Sequence, residues 1–195
     1  MTPAARTALG VVRPADVAAE PWRNGRGVTR VLVARPAWRI SLAEIDGRAA
    51  FSEFTGFDRL LIPLDHGGLH LEIDGVGHRA AQHEGIAFRG EDRVTADSGD
   101  RPATVVNVML RRSLVGADWA VSIGSGAMLA GLGSSAGTEA DVAAVVVLTG
   151  TASAPEARPL PPGSVVLPPW TARITACPED VWAVLRVRPD ATSGA

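Results

Sequence analysis

Hydrophobic positions fall in short runs rich in Val, Ile and Leu, each bounded by Gly, Pro or Asp, and few stretches repeat at helical spacing. That pattern predicts strands. The expected strands are Val28–Ala34, Trp38–Ile45, Arg59–Leu64, Leu69–Ile73, Ile86–Phe88, Arg93–Ala96 and Ala103–Arg111. A later group covers Val142–Thr149, Ser164–Leu167, Ala172–Ala176 and Val181–Val187. Asp74-Gly75 reads as a two-residue hairpin turn. Only "RPADVAAEPW" has room for a short helix, limited by Pro14 and Pro21. The fold class is therefore all-β, a sandwich or barrel.

The two parts of the chain run through a similar order of apolar strand, turn, short Gly-led strand and closing apolar strand ending on Arg. This favours two small barrels, residues 1–117 and 118–195, over one large sandwich. The uncharged tract "IGSGAMLAGLGSSAGTEA" reads as a connecting loop, with a Gly/Ser-rich stretch at 124–137. The second part lacks the polar strand residues of the first, which makes the first the working barrel.

Several function classes drop out on composition. The 195 residues carry a formal net charge of −2, so nothing suggests a nucleic-acid partner. All 19 basic residues are Arg, a sign of genome base bias, and an Arg count alone is no binding signal. No apolar run is long enough to span a bilayer, and the N-terminus has no signal-peptide core. A cytoplasmic protein is expected. The single Cys177 excludes an internal disulfide and reads as a small buried hydrophobe.

Candidate chemistry is sparse. Gly133–Gly137, "GSSAG", matches G-x-S-x-G around Ser135, but all four His lie upstream and no strand–turn–helix context surrounds it. His70 and Glu72 project to one face of their strand, opposite Leu69, Leu71 and Ile73, and could start a metal site. Three or four convergent ligands are needed, and "ATVVNVMLRR" offers Asn107 and Met109 where a further His is expected. A solvated His is the favoured reading, and no cofactor or metal is called for. Phe51, Phe54 and Phe57 are spaced to share one side of a turn, as a core plug from which one ring could cover a ligand.

Polar residues inside apolar strands are more telling. Arg39 and Ser41 alternate opposite Trp38, Ile40 and Leu42; Asp58 and Arg59 open an apolar strand on opposite faces; Asn107 interrupts "TVVNVML". Buried charge is costly unless paired or given a ligand. Three such interruptions point to a polar pocket in the first barrel.

"PWRNGRGVTR", "WRISLAEI", "FSEFTGFDRLLIPLD" and "VVNVMLRR", in this order and spacing, resemble the HutD/Ves family. The resemblance is specific from about Pro21 to Arg112 and weaker to Pro189. It implies a bicupin, with a ligand pocket in the N-terminal barrel, that acts as a small-molecule-binding or regulatory partner of histidine utilisation. The implied ligand is a pathway carboxylate such as N-formylglutamate or urocanate. No catalytic reaction comes with the family, and the His-x-His of metal-dependent cupins is absent. Arg39 and Arg59 are then expected to clamp the carboxylate, because guanidinium matches it bidentately. Asn24, Ser41 and Asn107 would add neutral hydrogen bonds, Asp58 would orient an Arg or accept a ligand N–H, and Trp22 would wall the site. Exposed sheet edges allow a homodimer. A metal-dependent cupin enzyme using His70 and Glu72, or a protein-interaction module, are the alternatives. One departure stands out: Asn24-Gly25-Arg26-Gly27 replaces the family's usual Asn-Gly-Gly-Gly, and an inward Arg26 would add a cation.

Overall fold

Short extended segments make up most of what the structure describes: the long central strands are buried at successive positions, and shorter ones such as β7, at Leu69–Ile73, alternate buried and exposed residues. This computed structural model describes residues 10–115, 119–125, 142–150, 153, 159–168 and 177–187. About 58% of it is strand and 5% helix, so the protein is all-β. The chain divides into two compact units, described separately below.

The first unit takes residues 18–117. Its strands are β2 (Glu20–Pro21), β3 (Gly27–Ala34), β4 (Trp38–Ile45), β5 (Arg48–Ala50), β6 (Phe57–Pro63), β7 (Leu69–Ile73), β8 (Val76–Ala80), β9 (Ile86–Arg89), β10 (Val94–Asp97) and β11 (Ala103–Arg111). They form a six-stranded sheet in the order β2-β3-β4-β11-β6-β9 and a four-stranded sheet in the order β5-β10-β7-β8. Every pairing is antiparallel. One core joins the two sheets: Ala43, Ile45, Leu61 and Val105 come from the larger, Leu69, Leu71, Val94 and Ala96 from the smaller. The unit is thus a sandwich of two open sheets. The β7–β8 hairpin turns at Asp74-Gly75, both residues left-handed at φ 48° and 82°, and Ile73 pairs with Val76 as the turn requires.

The second unit takes residues 118–189 together with the segment ahead of Ala18. Its five-stranded sheet runs β1-β14-β13-β15-β12, with β1 at Val11–Val12, β12 at Trp119–Ser125, β13 at Val142–Thr149, β14 at Val165–Val166 and β15 at Val181–Val187. Val145, Val147, Val166, Trp182 and Val184 build its core. The boundary expected at 117/118 therefore needs a correction at the N-terminus. Val11 and Val12 pair with Val166 and Val165, which assigns the first strand to the later unit.

Smaller differences have local causes. The short helix expected after Arg13 is a 3₁₀ turn, Pro14–Asp16, ended by extended Val17. The tract read as a connecting loop is strand as far as Ser125, held by pairing with β15; its remainder, with Ser135, lies outside the described residues, as does Ala172–Ala176. Cys177 is half-buried rather than buried, and its N–H donates to Asp180 Oδ2 at 2.7 Å. No helix among the described residues is long and apolar enough to cross a membrane.

Candidate functional site: a cavity with two unpaired arginines

The inner face of the six-stranded sheet is apolar at one end and polar at the other. Because facing residues of paired strands share a face, the register writes this face as rows. Arg39 of β4 pairs with Met109 of β11, which pairs with Arg59 of β6, which pairs with Phe88 of β9. The next row runs Val31, Ser41, Asn107, Leu61. Two arginines thus stand two strands apart on one surface, about 10 Å between backbones.

They face a cavity of about 440 Å³, within the size range of small-molecule sites. Trp22, Asn24, Arg39, Ser41, Arg59 and Asn107 line it. Asp58 does not. Side chains alternate along β6, so Asp58 takes the opposite face and pairs with Arg112 Nη1 at 2.8 Å. Asp58, expected among the ligand-binding residues to orient an Arg or accept a ligand N–H, does pair with an arginine, but outside the cavity lining.

Neither pocket arginine has a carboxylate bound to it among the described residues. Arg59 is 5% exposed, and the hydrogen bond it makes is from Nη1 to the Ser52 carbonyl at 3.3 Å. Its Nε has no partner, nor has that of Arg39. Burial, and then repulsion from Arg39, push the Arg59 guanidinium down to about 10. Burial also lowers Arg39, partly countered by the charge of Glu20 on the cavity rim. Arg39 Nη2 donates to the Met109 thioether at 2.8 Å, a weak acceptor. Asn107 Oδ1 is buried without a donor.

Aromatic rings hold these cations in place of carboxylates. The Arg59 guanidinium lies 4.8 Å from the Phe88 ring centroid, 5.1 Å from Phe51 and 5.3 Å from Phe54. Phe54 also covers Arg39 at 5.2 Å. Such contacts stabilise a desolvated cation but give the two Nε–H groups no acceptor. Phe51 and Phe54 both line the cavity, whereas Phe57 opens β6 and packs under Arg111 at 4.7 Å. The segment 51–56 is seated by glycine: a Cβ on Gly90 would lie 2.0 Å from the Phe54 carbonyl oxygen. Gly90 also accepts from Phe54 N and donates to Phe57 O, each at 2.7 Å.

The "PWRNGRG" stretch is the β2–β3 turn. Gly25 is left-handed at φ 68°, and Gly27 leaves room for the Trp22 ring, 3.1 Å from where a Cβ would sit. Asn24 Oδ1 accepts from Arg26 N at 3.0 Å, closing the turn. Arg26 needs no positive φ and is exposed outside the cavity lining, so the replaced glycine costs no strain and adds no pocket cation. Trp22 Nε1 donates to Thr29 Oγ1 at 2.7 Å, and the ring meets Phe51 edge-on at 5.8 Å.

His70 and Glu72 lie on the outer face of β7, and Glu72 pairs with Arg48 at 3.2 Å. Among the described residues no three His, Cys, Asp or Glu side chains converge as metal ligands.

Residues 14–160 match the model of the HutD family. The chain belongs to the HutD/Ves family. Protein Ves of Citrobacter koseri is 33% identical over 99 residues, covering 47% of this chain and 52% of that protein. An uncharacterized 21.2 kDa protein in the hutC 3' region of Pseudomonas putida is 32% identical over 95 residues, 45% of this chain and 50% of that one. The chain thus spans about half the length of the curated relatives it matches. HutD from Pseudomonas fluorescens SBW25, solved in a formate condition, superposes with a TM-score of 0.66 at 18% identity, covering 94% of this chain and 100% of that one. A conserved protein of unknown function from Pseudomonas aeruginosa PAO1 gives 0.65 at 19%, covering 92% and 98%. These two structures establish a shared fold.

Proposed function

We propose that this HutD/Ves protein is a bicupin that binds a small carboxylate in the cavity of its first unit and, without catalysing a reaction on it, modulates histidine catabolism in the cytoplasm. The observation that carries the reading is the pair Arg39 and Arg59. Both face one cavity, both are desolvated, and neither has a bound carboxylate among the described residues. A desolvated guanidinium whose Nε–H lacks an acceptor is the complement of an anion.

Asn107 and Ser41, one row away, suit the uncharged polar part of a ligand, and Trp22 with Phe51 supplies apolar wall. N-formylglutamate and urocanate are the acids that the family's association suggests. The metal-dependent alternative has little support, because His70 and Glu72 point away from the cavity and Glu72 already holds Arg48.

Calorimetric titration with a panel of these acids, formate and glutamate tests the reading. Arg59→Met should weaken whichever acid binds by about 2 kcal/mol, roughly thirtyfold in Kd. Equal affinity in the variant and the parent would remove the clamp.

A further inference from the structure

The cavity holds an unsatisfied acceptor as well as unsatisfied donors. Asn107 lines it and is 8% exposed, and its Oδ1 has no donor among the described residues. An apolar side chain of the same shape would spare the fold that unmet bond. Asn107 stands two residues before Met109 on β11, and Met109 lies between Arg39 and Arg59. Two residues of strand span about 7 Å, so a group joined to a carboxylate by a few bonds reaches from the arginine row into the next.

No neighbour in that row meets the amide oxygen. Ser41 Oγ donates to the main-chain carbonyl of Asn107 at 3.5 Å, not to its side chain. The flanking Leu61 and Val31 have no side-chain donor. Turning the amide over would bury two N–H donors near two cations in place of one acceptor, a costlier arrangement. The arginines thus offer donors to an anion, and the row beside them offers the oxygens of Asn107 and Ser41. A ligand that brings an ester or ether oxygen there sets oxygen against oxygen. An N–H closes the bond that the fold leaves unmade.

We infer that Asn107 is a specificity-determining residue, whose Oδ1 accepts from an N–H a few bonds away from the carboxylate on Arg39 and Arg59. The site then selects acids that carry such a donor, N-acylated amino acids the simplest of them, over acids of the same shape without it. This selection rests on the acid-binding reading above. Both acids named there meet it, N-formylglutamate with an amide N–H and urocanate with an imidazole N–H.

Isosteric pairs test this. N-acetylglycine and N-acetyl-β-alanine are titrated calorimetrically into the full chain, each beside the ester in which oxygen replaces the N–H. At whichever length binds more tightly, the amide should bind about tenfold tighter than its ester. Asn107→Leu removes the acceptor at nearly constant volume. There the preference should vanish, because the amide N–H then gives up its hydration for no return. The parent comparison stands whether or not that variant folds. Amide and ester binding alike at both lengths would overturn the inference while leaving the acid-binding reading intact. A tenfold preference that survives in Asn107→Leu would take the role away from Asn107. Binding of none of the four acids by folded parent would overturn the acid-binding reading itself, and the inference with it.

Discussion

Asp58 and Arg59 are sequence neighbours, yet the arginines on their two faces of β6 have opposite surroundings. On the outer face, Arg112 is held by two carboxylates: Nη1 bonds Asp58 at 2.8 Å, Nη2 bonds Glu91, and Nη1 also reaches the Phe57 carbonyl at 2.7 Å. On the inner face, Arg59 is buried, and both it and Arg39 have aromatic rings but, among the described residues, no bound carboxylate. A paired arginine is satisfied by its own fold. An unpaired one, kept charged and out of water, carries a cost that an incoming anion can relieve. The contrast separates what holds this unit together from what it holds.

The two regions also cooperate. Glu91 accepts from Gly56 N at 2.6 Å, and Gly90 seats the Phe54 carbonyl, so the outer network anchors both ends of the segment that lays Phe51 and Phe54 over the cations.

The largest expected effect follows from removing that seat. Gly90→Ala drives a Cβ into the Phe54 carbonyl and should cost about 3 kcal/mol of stability by displacing the backbone, read as a lower urea midpoint and lost acid binding. Arg112→Met ranks next: it strands Asp58 and Glu91, so the thermal midpoint falls, whereas a variant of Arg39 that leaves the outer network alone should keep the parent midpoint or exceed it. A midpoint unchanged in Arg112→Met would show that the outer pairs are solvated decoration.

The smallest effect is on pH dependence. The Gly56 N–H, and then Arg112, hold the Glu91 carboxyl at about 2, below its ordinary 4.5. A depressed acid stabilises the fold fully above its unfolded value. That contribution is lost as pH falls from about 4.5 towards 2. Glu91→Gln should therefore show a shallower loss of stability across that window, measured by denaturant melts at stepped pH. An identical slope would contradict the role of Glu91, with Arg89 3.7 Å away as its remaining charged neighbour.

Much of this contrast is legible in the amino-acid sequence, because it depends on alternation. Polar residues at Arg39, Ser41, Arg59 and Asn107 interrupt apolar strands in phase, and phase alone puts them on one surface. Phase also says that Asp58 and Arg59 diverge. What stays hidden is Asp58's partner, since Arg112 is brought to it by the long-range β6–β11 pairing.

Strands of two or three residues, such as β1, β2 and β5, are too short to show a period, and β8 presents mostly exposed residues. For that reason no local pattern marks Glu20 as a residue of the cavity rim. The placement of Val11–Val12 beside β14 is a non-local choice that no local pattern encodes. Gly90 gives no signal of its own, and its role appears only when the Phe54 carbonyl lies against it.

In the acid-binding reading, Arg59 is costly to the free protein and useful only to the bound one. Burial, and then Arg39, push its guanidinium down to about 10, a cost of charging that three phenylalanine rings offset in part. The most direct measurement is the thermal midpoint of parent and Arg59→Met, each alone and each with a saturating carboxylate. The account predicts opposite signs: the free variant melts higher than the free parent, and the acid-induced rise seen in the parent disappears. A free variant that melts lower, with the acid-induced rise intact, would make Arg59 a structural cation and contradict the account.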